Sequence, residues 1–301
     1  MSAAADVLPL GRRTVVALAL ATAVGLVAFG WPLLAAPGGG LAHAQDAPVV
    51  LGVVLVAVLA VVTVALGEGG MDAKAVAALG LLSAVGAVLR PLSAGAAGVE
   101  LVFLTIVLGG RVFGPGFGFA LGSTTLVTSA LVTGGVGPWL PFQMLAASWV
   151  GAGAGLLPRR VRGTAEVAVL AAYGAVASFA FGLLMNLSFW PFQLGAATGL
   201  SFVPGDPVGA NLHRFALFWL ATSLGWDVGR AITTAVGLTV LGRPVLRVLR
   251  RAAGRARFGP AEAVLETPGR ADTPTRPRSG RRVAAPSGPS PALSRRTGDR
   301  T

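Results

Sequence analysis

Eight long apolar stretches constrain this chain more than any other feature, because each of them is able to enter a lipid bilayer. A helix needs about 20 predominantly apolar residues to cross a hydrocarbon core about 30 Å thick. The stretches cover residues 14–36, 49–66, 75–92, 99–109, 113–132, 138–157, 165–190 and 211–241. The stretch 99–109 would extend only about 17 Å, so it needs flanking residues or a re-entrant geometry. The sequence therefore predicts an all-α integral membrane protein.

The composition agrees with a membrane protein and excludes several kinds of chemistry. Hydrophobic residues make up 54% of the chain and charged residues 12%, which is too little polar surface to cover a soluble domain. Because the sequence has no cysteine, it forms no disulfide, thiolate metal site or cysteine nucleophile. It also has no Gly-x-x-x-x-Gly-Lys-[Ser/Thr] phosphate-binding loop. Neither histidine has an accompanying carboxylate cluster, so we expect no metal and no cofactor.

Basic residues are concentrated in alternate connections, and this asymmetry predicts the orientation of the chain. Arg12 and Arg13 precede the first apolar stretch. With eight crossings, the connections on the same side hold most of the remaining basic residues before the tail, namely Lys74, Arg111, Arg159, Arg160, Arg162, Arg243, Arg247, Arg250 and Arg251. Since Lys and Arg favour the cytosolic side, we expect a multi-pass cell-membrane protein with both termini in the cytosol. The net charge of +12 is then explained by orientation and contact with anionic lipid, without nucleic acid.

The chain divides into three predicted regions. Residues 1–70 form an N-terminal pair of transmembrane helices, and residues 71–251 form a six-helix membrane unit. Residues 252–301 are rich in Arg, Pro, Ser, Thr and Gly and are predicted to be a disordered, basic, cytosolic tail. An alternative remains open for residues 1–44, because Arg12-Arg13, the following apolar run and Ala42-His43-Ala44 also imitate a cleavable signal peptide. Cleavage there would leave seven spans.

Small residues four apart on the predicted spans allow helix backbones to approach closely in a membrane. The third span carries three such pairs, Ala73/Ala77, Gly80/Ala84 and Ser83/Ala87. Similar spacings occur in the fifth and sixth spans at Gly114, Gly118, Gly122, Gly151 and Gly155. Each set is either an internal packing surface of the bundle or a docking face for a partner membrane subunit.

Polar residues inside the predicted spans are candidates for function, because a central charge costs about 2.5–3.5 kcal/mol on insertion scales. Asp227 and Arg230 share a helix face and form either a structural ion pair or part of a ligand site. Apolar walls with a few orienting hydrogen bonds suit a polar, planar or ring-bearing small molecule. The candidate ligand-binding residues are Arg90, Glu100, Trp139, Gln143, Asn186, Trp190, Asp227 and Arg230. The loop between Arg90 and Glu100 is predicted to act as a lid.

Several runs in the second region carry a family likeness. They are VFGPGFGF from Val112, GPWLPFQMLA from Gly137, Asn186 with Phe189-Trp190, and Trp226-Asp227 before an amphipathic basic end. Together they resemble the substrate-specific (S) component of energy-coupling factor (ECF) vitamin transporters, over roughly residues 73–250. More narrowly, they look like the branch that includes cobalamin-type components. The resemblance implies a six-helix S-component bundle, here preceded by two extra transmembrane helices.

The resemblance also implies a function and a set of partners. Such a component binds a vitamin from outside, here cobalamin if the branch resemblance holds, and is not itself an enzyme. Its partners are a transmembrane coupling subunit and two ATPases, whose ATP-driven rearrangement tips the bundle and releases the ligand inward. Small residues on the first helix of the unit meet the coupling subunit, and Ala73, Ala77, Gly80 and Ala84 match that role in type. Two alternatives stay open from the residues alone: a membrane-embedded enzyme acting on a lipid-linked substrate, and a membrane scaffold without a ligand.

Overall fold

A computed structural model of the protein describes residues 11–34, 47–67, 73–93, 98–193 and 198–256. Within these ranges the backbone forms nine helices and no strand. The helices are α1 (Arg12–Leu34), α2 (Ala47–Gly67), α3 (Ala73–Ser93), α4 (Val102–Phe113), α5 (Pro115–Thr133), α6 (Leu140–Leu156), α7 (Gly163–Gln193), α8 (Val208–Thr222) and α9 (Leu224–Ala256). Five of them, α1, α3, α5, α7 and α9, are long and apolar enough to cross a membrane. The predicted all-helical membrane fold is confirmed.

Some predicted features lie outside the described residues. They are the signal-peptide cleavage motif at 42–44, the centre of the loop between Arg90 and Glu100 at 94–97, and the tail from residue 257 onward.

The short fourth stretch forms α4, which is 12 residues long. All of its residues except Thr105 are buried, because α3, α5, α6 and α9 pack around it. A helix of this length extends about 18 Å, less than the hydrocarbon thickness. The cover from neighbouring helices shields both its side chains and its ends from lipid, so its shortness is tolerated. Gly114, with φ 99°, and Pro115 at the first position of α5 separate the two helices.

The predicted final span, 211–241, is wrong as a single helix. Two helices, α8 and α9, meet at Ser223, whose backbone φ of −121° lies outside the helical range. The Ser223 hydroxyl donates a hydrogen bond to the Asn186 side chain on α7, 2.8 Å away. Such Ser- and Gly-containing sites are recognised positions for helix kinks, and Gly225 follows two residues later. The kink directs the start of α9 toward α7.

Glycines on α4, α5 and α6 are contact points between backbones. A Cβ at Gly118 or at Gly110 would overlap the backbone carbonyl of Gly151, and one at Gly122 would overlap that of Ala147. A Cβ at Gly155 would overlap the backbone at Pro115. The small residues of the fifth and sixth predicted spans therefore serve internal packing of the bundle.

The N-terminal helices pack directly onto the bundle, with α1 and α2 both in contact with α6. The Phe29 ring lies 5.1 Å from that of Phe142 and 5.6 Å from that of Trp149. The Trp149 indole also donates a hydrogen bond of 3.2 Å to the Thr22 hydroxyl. These contacts make α1 an integral part of the packed structure.

Arg111, counted above among the charges of a connecting loop, is instead buried in the last turn of α4. Its guanidinium donates to Glu166 on α7 at 2.7 Å and to the backbone carbonyls of Leu157, Pro158 and Val161. Arg250 on α9 donates to the same Glu166 oxygen at 2.6 Å. This polar cluster joins α4, α7, α9 and the α6–α7 connection at one end of the bundle.

Candidate ligand-binding site

A cavity of about 370 Å³ lies where α7 approaches its end and α9 begins. Its volume falls within the range of about 300–1,000 Å³ that is usual for small-molecule sites. Aromatic, amide, hydroxyl and charged side chains share its wall, which is lined by Gly182, Met185, Asn186, Phe189, Thr222, Ser223, Trp226, Asp227 and Arg230. Three of the predicted ligand-binding residues, Asn186, Asp227 and Arg230, are thus brought together.

Asp227 is the most deeply buried of the charged groups at the cavity, with 1% of its surface exposed. One carboxylate oxygen accepts a hydrogen bond of 2.7 Å from the Trp219 indole, and the other accepts one of 2.7 Å from Arg230. Gly182 on α7 makes room for this carboxylate, because a Cβ there would overlap it. The charge of Asp227 is stabilised by these donors rather than by water.

Arg230 joins three elements at the cavity. Besides Asp227, its guanidinium binds Glu100, which precedes α4, at 2.6 Å. The guanidinium carbon also lies 5.4 Å from the centre of the Phe181 ring, within range of a cation–π interaction. The i,i+3 pair predicted from the sequence is therefore part of a larger group of three charges that includes Glu100.

The segment before α4 packs closely against the start of α9. Gly98 has φ 77°, and a Cβ at this position would overlap the backbone carbonyl of Trp226. Glycine is required here for both reasons, since other residues rarely adopt this conformation. The contact and the Glu100–Arg230 ion pair hold this end of the loop beside the cavity.

Asn186 connects α7 with the kink between α8 and α9. Its side-chain amide donates a 2.8 Å hydrogen bond to the Gly182 carbonyl, and its side-chain oxygen accepts the bond from Ser223. These two bonds use one of the two amide hydrogens, which leaves one donor position of the side chain unused. Asn186 is thus held in one orientation by the protein while it faces the cavity.

Two other predicted residues form a separate polar group. Arg90 on α3 donates a 3.0 Å hydrogen bond to the Gln143 side chain on α6 and a 3.4 Å bond to the Ser129 hydroxyl on α5. Neither Arg90 nor Gln143 belongs to the lining of the α7–α9 cavity. The predicted site residues therefore fall into more than one cluster.

The two tryptophans among the predicted ligand-binding residues, Trp139 and Trp190, lie outside the cavity lining. Trp190 is fully buried, packs with Phe202, Phe215 and Phe218, and donates a 2.7 Å hydrogen bond to the Leu200 carbonyl. Trp139 is 41% exposed and donates to the Gly135 carbonyl at 3.3 Å. Neither lines the cavity.

The prediction missed several residues that build the cavity, notably Gly182, Thr222 and Ser223. One signal was present in the sequence, because Gly174, Ser178 and Gly182 follow each other at intervals of four on α7. The structure places this stripe against α9: Gly174 faces Leu238 and Thr234, and the Ser178 hydroxyl donates to that of Thr234 at 3.1 Å. Small residues at this spacing indicate a close helix–helix contact.

Two of the three predicted small-residue pairs of α3 lie on its exposed face, and the third, Ser83/Ala87, is buried. Ala73, Ala77, Gly80 and Ala84 are all exposed, and nothing lies within 4 Å of a Cβ built at Gly80. Ser83 and Ala87, on another face of α3, are buried, and Ser83 is hydrogen-bonded to Thr124 of α5 at 2.7 Å. One face of α3 thus packs inside the bundle and the other is open.

In the described part of the chain, no group of three His, Cys, Asp or Glu residues is arranged for a metal ion.

Comparison with known families agrees with this architecture. A family model for the substrate-specific component of ECF transporters matches residues 74–240. The chain belongs to this family. The match begins at α3 and ends within α9, so it includes the cavity and leaves α1 and α2 outside. No curated protein and no solved structure matches the chain significantly. This ECF substrate-specific component is therefore a multi-pass membrane subunit of a transport system.

Proposed function

We propose that this S component captures a small organic micronutrient, such as a vitamin, in the α7–α9 cavity, which opens toward the outside. The observation that carries the proposal is the buried Asp227 at the wall of a cavity with aromatic and amide groups. A charged group inside a membrane protein is costly and usually has a functional role. The proposed orientation is supported by the basic residues, which favour a cytosolic location for the start of α7 and the end of α9.

The size of the cavity favours a compact ligand. At about 370 Å³, it lies near the lower end of volumes found for drug-sized molecules. A corrinoid is much larger than a drug-sized molecule, so a ring-bearing vitamin of ordinary size is the better candidate than cobalamin. Trp226 and Phe189 provide flat apolar surfaces for such a ring, and Asn186 provides an orienting hydrogen bond.

The exposed face of α3 is the proposed docking surface for the transmembrane coupling subunit. Ala73, Ala77, Gly80 and Ala84 would allow a partner helix to approach closely. The extra helices α1 and α2 leave this face accessible, because they pack on α5, α6 and α7. Two ATPases bound to the coupling subunit would supply the energy for release of the ligand to the cytosol.

Mass spectrometry of the gently solubilised, affinity-purified chain tests the proposal. We expect a retained small molecule together with a membrane coupling subunit and ATPase subunits. Loss of both under mild conditions, from a chain that keeps its helicity, would contradict the transport function.

Binding of the retained molecule to purified variants then locates its site. Asn186→Ala and Ser223→Ala are expected to weaken binding at least tenfold, because each removes part of the hydrogen-bonded wall. Gln143→Ala tests the separate Arg90–Gln143 group. Weaker binding by this variant would make that group a candidate ligand site as well. Unchanged affinity in both Asn186→Ala and Ser223→Ala would exclude the cavity as the site.

A further inference from the structure

The charges around the cavity do not balance. Three charged side chains are joined there: the carboxylates of Asp227 and Glu100 and the single guanidinium of Arg230. Their formal sum is −1. The carboxylates are shielded from water, since the side chains of Asp227 and Glu100 are 2% and 19% exposed. Charge in such surroundings acts more strongly on a ligand than it would in bulk water.

The neighbouring charges do not remove this excess. Arg214 on α8 is already neutralised by Asp206 at 2.6 Å. Arg90 is directed to Gln143 and Ser129, on the other polar group. Asp227 and Arg230 are the charged residues that line the cavity, and Glu100 is the further carboxylate that binds Arg230.

Unused acceptor positions remain on the carboxylates. An ionised carboxylate offers about four acceptor positions on its two oxygens. Asp227 uses one position on each oxygen, for Trp219 and for Arg230. A bound molecule with N–H donors or a positive charge is able to use the others without breaking the existing bonds. Arg230 also keeps unused N–H donors, since it uses two of its five for Glu100 and Asp227, so an anionic molecule is disfavoured by the net negative charge of the group and not by a lack of donors.

Aromatic surface lies beside this negative group. Trp226 lines the cavity and is 47% exposed, and Phe189 contributes to the same wall. The face of an aromatic ring attracts a cation, and this attraction is strongest for tryptophan. The aromatic rings and the carboxylates thus both favour a positively charged ligand.

Resting on the proposed function, we propose that this cavity selects a ring-bearing small molecule with a positive charge, such as a protonated amine or a cationic heterocycle. The ring packs on Trp226 and Phe189, and the positive group points toward Asp227. Arg230 and Glu100 stay paired and fix the position of the Asp227 carboxylate.

A series of three planar probes of nearly equal size tests the charge preference: benzamidinium, benzamide and benzoate, with charges of +1, 0 and −1. Their binding to the full chain is measured by saturation-transfer NMR titration in phosphatidylcholine nanodiscs, whose zwitterionic lipid adds no net charge. We expect benzamidinium to bind at least tenfold more tightly than benzamide, and benzoate to bind more weakly than either.

Two variants and a matched control assign the preference to the cavity. Asp227→Asn is expected to reduce the preference for benzamidinium over benzamide to less than threefold. Glu100→Gln, at a more exposed position, provides the same test if the Asp227→Asn variant does not fold. Asp206→Asn removes a paired carboxylate outside the cavity lining and is expected to preserve the preference.

Equal or tighter binding of benzoate, no binding of benzamidinium, or a preference unchanged in both cavity variants would overturn the inference. Retention of a neutral or anionic vitamin by the purified chain would also overturn it while supporting the proposed transport function. Failure of the transport function is recognised separately, by the absence of a retained molecule and of partner subunits.

Discussion

Replacing Gly182 with alanine tests the contact that brings α7 and α9 together at the cavity. The added methyl group would overlap the Asp227 carboxylate, which is held by Trp219 and Arg230. Relief of the overlap requires the carboxylate to move and weakens at least one charge-assisted hydrogen bond, at a cost of about 1.5–3 kcal/mol. Substitutions that add carbon atoms to a well-packed protein interior cost a similar amount of stability, about 1–3 kcal/mol.

The higher helix propensity of alanine partly offsets this loss of stability. Alanine is favoured over glycine in a helix interior by about 1 kcal/mol. The remaining loss is about 0.5–2 kcal/mol, and a change of about 1 kcal/mol shifts the melting temperature of a larger domain by about 2–4 °C. We therefore expect Gly182→Ala to lower the apparent Tm by about 1–8 °C, measured by tryptophan fluorescence of the detergent-solubilised chain.

Gly80→Ala is the matched control, because it makes the same substitution inside a helix where no atom lies within 4 Å of the new Cβ. Only helix propensity changes there, so the apparent Tm should rise by about 2–4 °C. If Gly182→Ala raised the Tm by as much as Gly80→Ala, the close contact between Gly182 and Asp227 would be refuted.

Two further predictions concern the other end of the bundle and the open face of α3. Arg111→Ala should destabilise the chain by about 3–5 kcal/mol in thermal or SDS unfolding, because it removes a buried partner of Glu166 and leaves several backbone carbonyls without a donor. Arg247→Ala, at an exposed position of α9, is the control. An equal effect of the two substitutions would contradict the structural role of Arg111. Ala77→Trp should abolish copurification of the coupling subunit without changing ligand affinity, whereas Val176→Trp on exposed α7 surface should affect neither. Retention of the subunit by Ala77→Trp would exclude this face.

Local patterns were sufficient to predict some of the site and insufficient for the rest. Asp227 and Arg230 are three residues apart on one helix, so their pairing followed from helix geometry. Glu100 was recognised as a polar residue at the start of a span, but its pairing with Arg230 joins positions 130 residues apart. No local periodicity encodes such a contact. The separation of Arg90 and Gln143 from the cavity has the same origin, because helices of similar composition are able to pack in several orders.

The sequence by itself determined the helical membrane class, because long apolar stretches must satisfy their backbone hydrogen bonds internally in lipid. It also determined which residues are costly to bury. Only the tertiary structure decided that the last stretch bends at Ser223, that α4 is enclosed, and that Gly182 receives the Asp227 carboxylate. These features depend on which helix faces meet. In an apolar bundle, that choice is made by close packing of small residues and by a few buried polar bonds between distant positions.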